Sequence, residues 1–514
     1  MQKILLLVCL FISTTIYAQV PEDALRYSFY PQNGTARNLA IGGAMGSLGG
    51  DINATFVNPA GLGFYKTREF VLSPGFFFNT DKIKYRDNNS TNKNNNFIFG
   101  TSGLVIGSSS RNNPDHSSAF SLAITQTANF NNHTKYKGLN NYSSFSEQFA
   151  EEFAKSGYTI DKVLDANSPF PYTSAPALYT YLIDTVKING VYKVKAAPEY
   201  ILDAGQAVMQ EMDKKTKGGI SELAVGFASN KKDKWFWGLS IGIPLVKYNS
   251  NTNFIESDTS LNTNNHFKQF EYNDDFTSTG VGFNGKIGII YRPRDYIRLG
   301  LAIHTPTWMY LTDERTTTIK TQLENPVGTF STTSATFTNN QPGKSKYLQT
   351  TPLKIMISAS YVFREVSNTK KQRAFITADV EYVHHKGSRF SSDNETPTAS
   401  EKAYYKSLNT VIKDEYKGNF NFRVGAELKF NIIMARAGFA YYGNPYKDAA
   451  LKSNRMLLSG GLGYRNKGVF VDVTYVHNIT KDVNFPYRLE DRANTFATVK
   501  QQKGNVVATI GFKF

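Results

Sequence analysis

From Arg68 to the end of the chain, apolar and polar residues alternate with a period of two, the repeat of a β-strand with one greasy face. Fourteen runs stand out, at 68–79, 96–108, 116–130, 218–230, 234–248, 277–292, 295–308, 352–364, 372–385, 417–430, 431–442, 454–466, 467–480 and 503–514. Most exceed the five or six residues usual in soluble sheets and match the ~9–11 that a tilted strand needs to cross hydrocarbon. Within 419–430, Phe420, Phe422, Val424, Ala426, Leu428 and Phe430 share one face, and Asn421, Arg423, Gly425, Glu427 and Lys429 share the other. Trp235, Trp237, Leu239, Ile241, Ile243 and Leu245 repeat the pattern, as do Leu353, Ile355, Ile357, Ala359, Tyr361 and Phe363.

The connections alternate long and short from the end of the first run onward. The short ones are polar turns: SSSRNNPD before His116, NKKD before Lys234, PRD ahead of Tyr296, VSNTKKQ before Arg373 and RNKG ending at Gly468. The long ones cover 80–95, 131–217, 249–276, 309–351, 386–416, 443–453 and 481–502. An outer-membrane barrel has short inner turns and long outer loops, whereas a β-sandwich has no reason to keep them in strict alternation. The expected fold is therefore all-β: an antiparallel up-and-down transmembrane β-barrel of about 14 strands. A soluble barrel would turn the same apolar faces inward; strand length, loop alternation and the leader described below favour lipid.

Two segments do not read as wall. Residues 34–65, GTARNLAIGGAMGSLGGDINATFVNPAGLGFY, are rich in Gly and Ala, with a turn at Asn58-Pro59. With few large side chains of its own, this stretch needs walls around it. Residues 131–217 are too long for a plain connection and carry two helical stripes. Tyr142, Phe145, Phe149 and Phe153 form the first; Tyr200, Ile201, Ala204, Val208 and Met212 form the second, after Pro198. The stripes either pack on each other as a lid or line a groove for a greasy ligand, with Phe145, Phe149, Phe153, Tyr200, Val208 and Met212 as its candidate lining.

Composition narrows the class. The first eighteen residues, MQKILLLVCLFISTTIYA, read as a secretory signal peptide cleaved after Ala18, and the only cysteine, Cys9, lies within it. The mature chain then has no disulfide, thiolate ligand or cysteine nucleophile. Aromatic content is 14% and the net charge is +16. Such a charge suits an anionic membrane surface or a nucleic acid, but an exported chain seldom meets nucleic acid, and its Lys and Arg are dispersed through turns and alternating positions. No nucleic-acid partner is expected. The seven His residues are scattered with no HExxH, there is no GxSxG, and GGAMGSLGG lacks the lysine of a phosphate loop. The reading is a non-enzyme with no catalytic residue, metal or cofactor, with an outer-membrane lipid hydrolase as a minor alternative.

GTARNLAIGGA followed by LGGDINATFVNPAGL resembles the N-terminal plug of the FadL/TodX family of outer-membrane transporters for long-chain fatty acids and other hydrophobic compounds. The motif residues are Gly42, Gly43, Asp51, Asn58, Pro59 and Ala60. The resemblance implies a plug inside the lumen (19–66), a barrel with helical outer-loop insertions (67–514), residence in the outer membrane of a Gram-negative bacterium and a monomer in contact with its lipid. By the same resemblance, the ligand is caught in an outer groove and released sideways past the plug. The final strand NVVATIGFKF, ending in Phe514, resembles the signal read by the barrel-assembly machinery. Lys286, Arg298, Lys354, Arg423, Lys429 and Arg436 are candidate lumen cations, with Asp379, Glu381, Glu427 and Asp472 as their expected partners. The alternative function is an accessory barrel that presents outer loops to a secreted or surface protein.

Overall fold

The computed structural model describes residues 22–110, 112–113, 115–260, 262–324, 326–363, 373–448, 451 and 453–514. The expected signal peptide and the turn VSNTKKQ lie outside the described residues. The wall has fourteen strands. They are β1 (Arg68–Leu72 and Pro74–Tyr85), β2 (Asn88–Phe99 and Ser102–Ser109), β3 (Ser117–Asn129 and Asn132–Asn140), β4 (Val208–Lys231), β5 (Trp235–Asp258), β6 (Gln269–Arg294) and β7 (Ile297–His304 and Trp308–Glu324). They continue as β8 (Gly343–Thr350 and Lys354–Phe363), β9 (Ala374–His384 and Arg389–Ser392), β10 (Gly418–Phe430), β11 (Ile433–Tyr442), β12 (Arg455–Asn466), β13 (Val469–Asn484) and β14 (Ala497–Lys513). Each pairs antiparallel with the next, and β14 closes the barrel on β1 through Glu69↔Lys513 and Gly75↔Val507. Closure removes the free sheet edges that hydrocarbon forbids.

Accessibility fixes which way the alternation faces. Trp235, Trp237, Leu239, Ile241, Ile243 and Leu245 are exposed, and so are Phe420, Phe422, Val424, Leu428 and Phe430. Ser240, Asn284, Lys286, Ser358, Asp379, Glu381, Asn421, Arg423, Arg436 and Asp472 are buried inside. This is the reverse of a soluble barrel and is the arrangement that a lipid solvent stabilises. Aromatic pairs sit at the inner ends of strands: Trp235 stacks on Tyr291 at 4.2 Å, and Tyr296 meets Tyr361 at 5.4 Å.

Several expected loops are strand. Residues 80–95 form a hairpin extension of β1 and β2 with a tight turn at Arg86, where φ is 52°. The Asn-rich run NNSTNKNNN has no apolar face to announce it; its backbone is held by pairing to β1. Strands β5 and β6 extend through much of 249–276, and Val327–Thr333 adds a strand beside β7 within 309–351. Within 131–217, the first stripe is helical only over Glu147–Ser156, which holds Phe149 and Phe153 while Tyr142 and Phe145 precede it, and the second is helical only over Glu199–Asp203. Val208 and Met212 lie on β4, because a spacing of four fits a period of two as well as it fits a helix. The helix Ala399–Glu415 was not read from the sequence, although Thr398 and Glu401 form a capping box at its start.

Candidate functional site

Residues 22–66 pack against the inner face of the wall. Their small size lets them fold as short turns of helix: Asp23–Arg26, Ala36–Ala40, Ala54–Val57 and the 3-10 helix Pro59–Phe64. Helices this short leave many backbone groups unpaired, and lumen side chains satisfy them. Asp379 accepts from the Met45 and Gly46 amides, both at 3.1 Å, and Arg298 donates to the Leu48 carbonyl at 2.6 Å. Thr509 accepts from the Ala36 amide, Thr474 donates to the Ala36 carbonyl, and His304 donates to the Val57 carbonyl at 2.8 Å.

Within the segment, Asp51 accepts from the Thr35 hydroxyl and the Asn53 amide, tying its two halves together. Asn58 caps the 3-10 helix by accepting from the Ala60 amide at 3.1 Å, and donates to the Gly46 carbonyl at 2.6 Å. Pro59 and Ala60 lie over Gly238 of β5, where an added Cβ would stand 2.4 Å from the Pro59 carbonyl carbon. Gly42, at φ 67°, abuts the backbone of Phe439; Gly43, at φ 81°, lies beside Gln32 and Arg423.

The wall is interrupted beside this segment. Strands β2 and β3 pair only from Ser102↔Ile124 to Ser109↔Ser117. Beyond that point, among the described residues, the backbone of Asn88–Phe99 pairs with β1 alone and that of Asn132–Asn140 with β4 alone. Side chains make the crossing contacts: Thr101 to Thr125 at 3.0 Å, the Phe99 amide to Gln126 at 3.3 Å and Asn92 to the Lys135 carbonyl at 2.9 Å. β2 breaks at Gly100-Thr101, and β3 carries a bulge between Gln126 and Ala128 and breaks at Phe130-Asn131. At the point where the ladder stops, the Asn33 side-chain amide donates to both Phe99 O, at 3.0 Å, and Gln126 O, at 2.8 Å. One residue of the N-terminal segment thus spans the two strands.

Two cavities flank Tyr30, Gln32 and Asn33. The first, about 160 Å³, lies behind the interruption and is walled by Leu39, Phe77, Ile98, Ala128, Leu457 and Val476 together with polar side chains that include Gln126, Asn129, Arg455, Asn478 and Lys503. The second, about 110 Å³, is polar, with Glu222, Lys286, His304, Lys354, Glu381 and Arg423 on its walls. Most of these cations are matched. Lys286 meets Glu222 at 2.5 Å and Arg423 meets Glu381 at 2.8 Å; outside this cavity, Arg436 reaches both Glu427 at 2.5 Å and Asp472 at 2.6 Å. Glu222 is a partner that sequence reasoning missed, since nothing local marks it as facing Lys286. Lys354 forms no ion pair among the described residues; its ammonium lies 5.6 Å from the centre of the Tyr30 ring.

No family model and no characterised protein matches the chain by sequence. In structure it is similar to a Pseudomonas aeruginosa FadL homologue, with TM-score 0.55 and 13% identity over 95% of this chain and 100% of that one. The Pseudomonas putida toluene transporter TodX follows, with TM-score 0.52 and 13% identity over 94% and 99%. The chain has the FadL-type fold.

The outer mouth of this FadL-type barrel is closed by aromatic packing. Phe145 stacks on Phe254 at 4.3 Å and meets Phe149 edge-on at 5.6 Å; Phe153, Val208 and Met212 are buried in the same cluster. Tyr200 stands outside it, half-buried and stacked on His266 at 4.4 Å. The expected lining residues therefore pack as a lid in this state. Beneath the helix, Glu256 accepts from the Phe145 amide at 3.1 Å and from Gln210 at 2.7 Å, while Glu147 accepts from the Ser144 amide at 2.7 Å and pairs with Arg492 at 3.3 Å. These acids lie on the outer side of the apolar run that ends at Leu245. Burial pushes both carboxyls up to about 7.

Proposed function

We propose that the protein is a passive outer-membrane channel for hydrophobic small molecules of the long-chain fatty acid type, with residues 22–66 acting as its plug. The ligand enters when the aromatic lid opens, rests in the cavity behind β2 and β3, and leaves sideways into the bilayer between them. The observation that carries this reading is the unpaired stretch of wall with a largely apolar cavity directly behind it.

The energetics support a lateral route. An apolar chain gains ~25 cal/mol per Å² on leaving water, so crossing a charged lumen would forfeit what the lid and cavity supply. The polar cavity suits the head of an amphiphile: Lys354 offers an ammonium in direct ion-pair contact with no carboxylate among the described residues, although Glu381 lies in the same cavity, beside matched pairs that hold their positions. An oleate-type acid would use both compartments; a bare hydrocarbon would use the first alone.

Uptake of labelled oleate and of toluene by a deletion strain, with and without the restored gene, tests the reading. Restored uptake is expected to require a free apolar cavity. Ala128→Trp fills that cavity and should lower uptake by about tenfold or more, a loss of ~1.4 kcal/mol in occupancy, while the barrel stays heat-resistant on gels. Equal uptake in the deletion and restored strains overturns the proposal.

A further inference from the structure

The inner turns joining β4 to β5 and β6 to β7 are neighbours, since Trp235 pairs with Tyr291 and the Arg292 amide donates to the Lys234 carbonyl at 2.8 Å. Together they present Lys231, Lys232, Lys234 and Arg294, all exposed and none in an ion pair among the described residues. The acids nearby are engaged. Asp233 is held by Lys66 at 3.0 Å and by Asn230, Asp295 by Arg292 at 3.1 Å, and Asp115 by His116 at 2.9 Å. The turn acids are thus used to shape the turns; Asp115 also lies within the field of Lys232, and Lys231, Lys234 and Arg294 are left exposed to solvent.

Their depth is set by the aromatic residues. The stacked pair Trp235 and Tyr291 marks the membrane interface, and Trp237, Leu239, Ile287 and Ile289 continue from it as exposed apolar surface. The cations thus stand one step beyond the interface, at the level of lipid phosphates, contiguous with a surface that acyl chains cover. A Lys or Arg at that depth gains ~1 kcal/mol from an anionic lipid surface, about fivefold in affinity per charge.

We propose that this turn pair binds the phosphate headgroup of an anionic phospholipid in the inner leaflet, with its chains lying along β5 and β6. The site is independent of what the channel carries. It also gives part of the +16 net charge a role that dispersed turn lysines alone do not explain.

The full mature chain, reconstituted in phosphatidylcholine vesicles with a minor fraction of phosphatidylglycerol, is extracted and its retained lipids are measured. Phosphatidylglycerol should be enriched over phosphatidylcholine, the enrichment should weaken as salt rises, and free inorganic phosphate should not displace it. Lys232→Gln with Arg294→Gln should cut the enrichment about tenfold or more, whereas Lys232→Arg should keep it. Lys214→Gln with Lys215→Gln, at the outer end, should leave it unchanged. Absence of enrichment, equal loss in the outer-end variant, or capture of an acidic periplasmic protein by these residues without lipid preference would each overturn the proposal. Heat-resistance of each variant on gels separates lost binding from lost folding.

Discussion

Residues 34–65 are fitted to the wall by the absence of side chains. Gly288 faces the Asn58 amide oxygen, which a Cβ would approach to 1.8 Å, and Gly238 faces Pro59. The Asn58-Pro59-Ala60 turn was legible in the sequence because Asn and Pro act locally. Its partners were not, because the glycines that receive it lie on strands far away in sequence. Gly238→Ala and Asn58→Ala disturb this contact from opposite sides. The first adds a methyl with no room, at a cost of about 1–3 kcal/mol, and the second removes a helix cap worth about 1 kcal/mol. Both are expected to speed proteolysis within residues 34–65 and to change uptake, while the barrel remains heat-resistant. Loss of the barrel itself in either variant would make the segment an assembly element instead.

Strands announced themselves where one face is apolar and stayed hidden where only hydrogen bonding holds them. The hairpin around Asn88–Phe99 and the outer half of β4 are of the second kind: their pairing partners lie on β1 and β5, beyond the reach of local periodicity. The first helical stripe was half legible, since Phe149 and Phe153 lie on the helix Glu147–Ser156 and bury with Phe145 just before it while Tyr142 stays exposed, and this lid carries a pH dependence. Glu147 and Glu256 have folded values of about 7 against an ordinary 4.5, so the docked lid binds protons more tightly than the released one. Its stability is therefore full below about pH 4.5 and declines as the pH rises toward 7. Hydrogen exchange of the Glu147–Ser156 amides, compared at the two ends of this window, should be slower at the acidic end after correction for intrinsic rates. Glu256→Gln should remove much of the difference.

At the scale of the whole molecule, alternation gave the strands and loop lengths gave the topology, but the direction of each face needed the closed wall. Only then do exposed Trp237 and buried Arg423 become a lipid face and a lumen. The interruption between β2 and β3 was not legible, because Gly100-Thr101 and Phe130-Asn131 are ordinary residues whose effect is to end a pairing with another strand. It is the feature on which the account depends. Phe99 and Gln126 share the Asn33 amide as donor, and the Phe99 amide also donates to the Gln126 side chain at 3.3 Å, so a disulfide between these two positions would link the strands across the stretch. The decisive measurement is oleate uptake by the Phe99→Cys, Gln126→Cys variant, oxidised and then reduced. Lateral release predicts that uptake is blocked when the strands are linked and returns on reduction. Uptake that is equal in both states, with the disulfide shown to be formed, would contradict passage between β2 and β3.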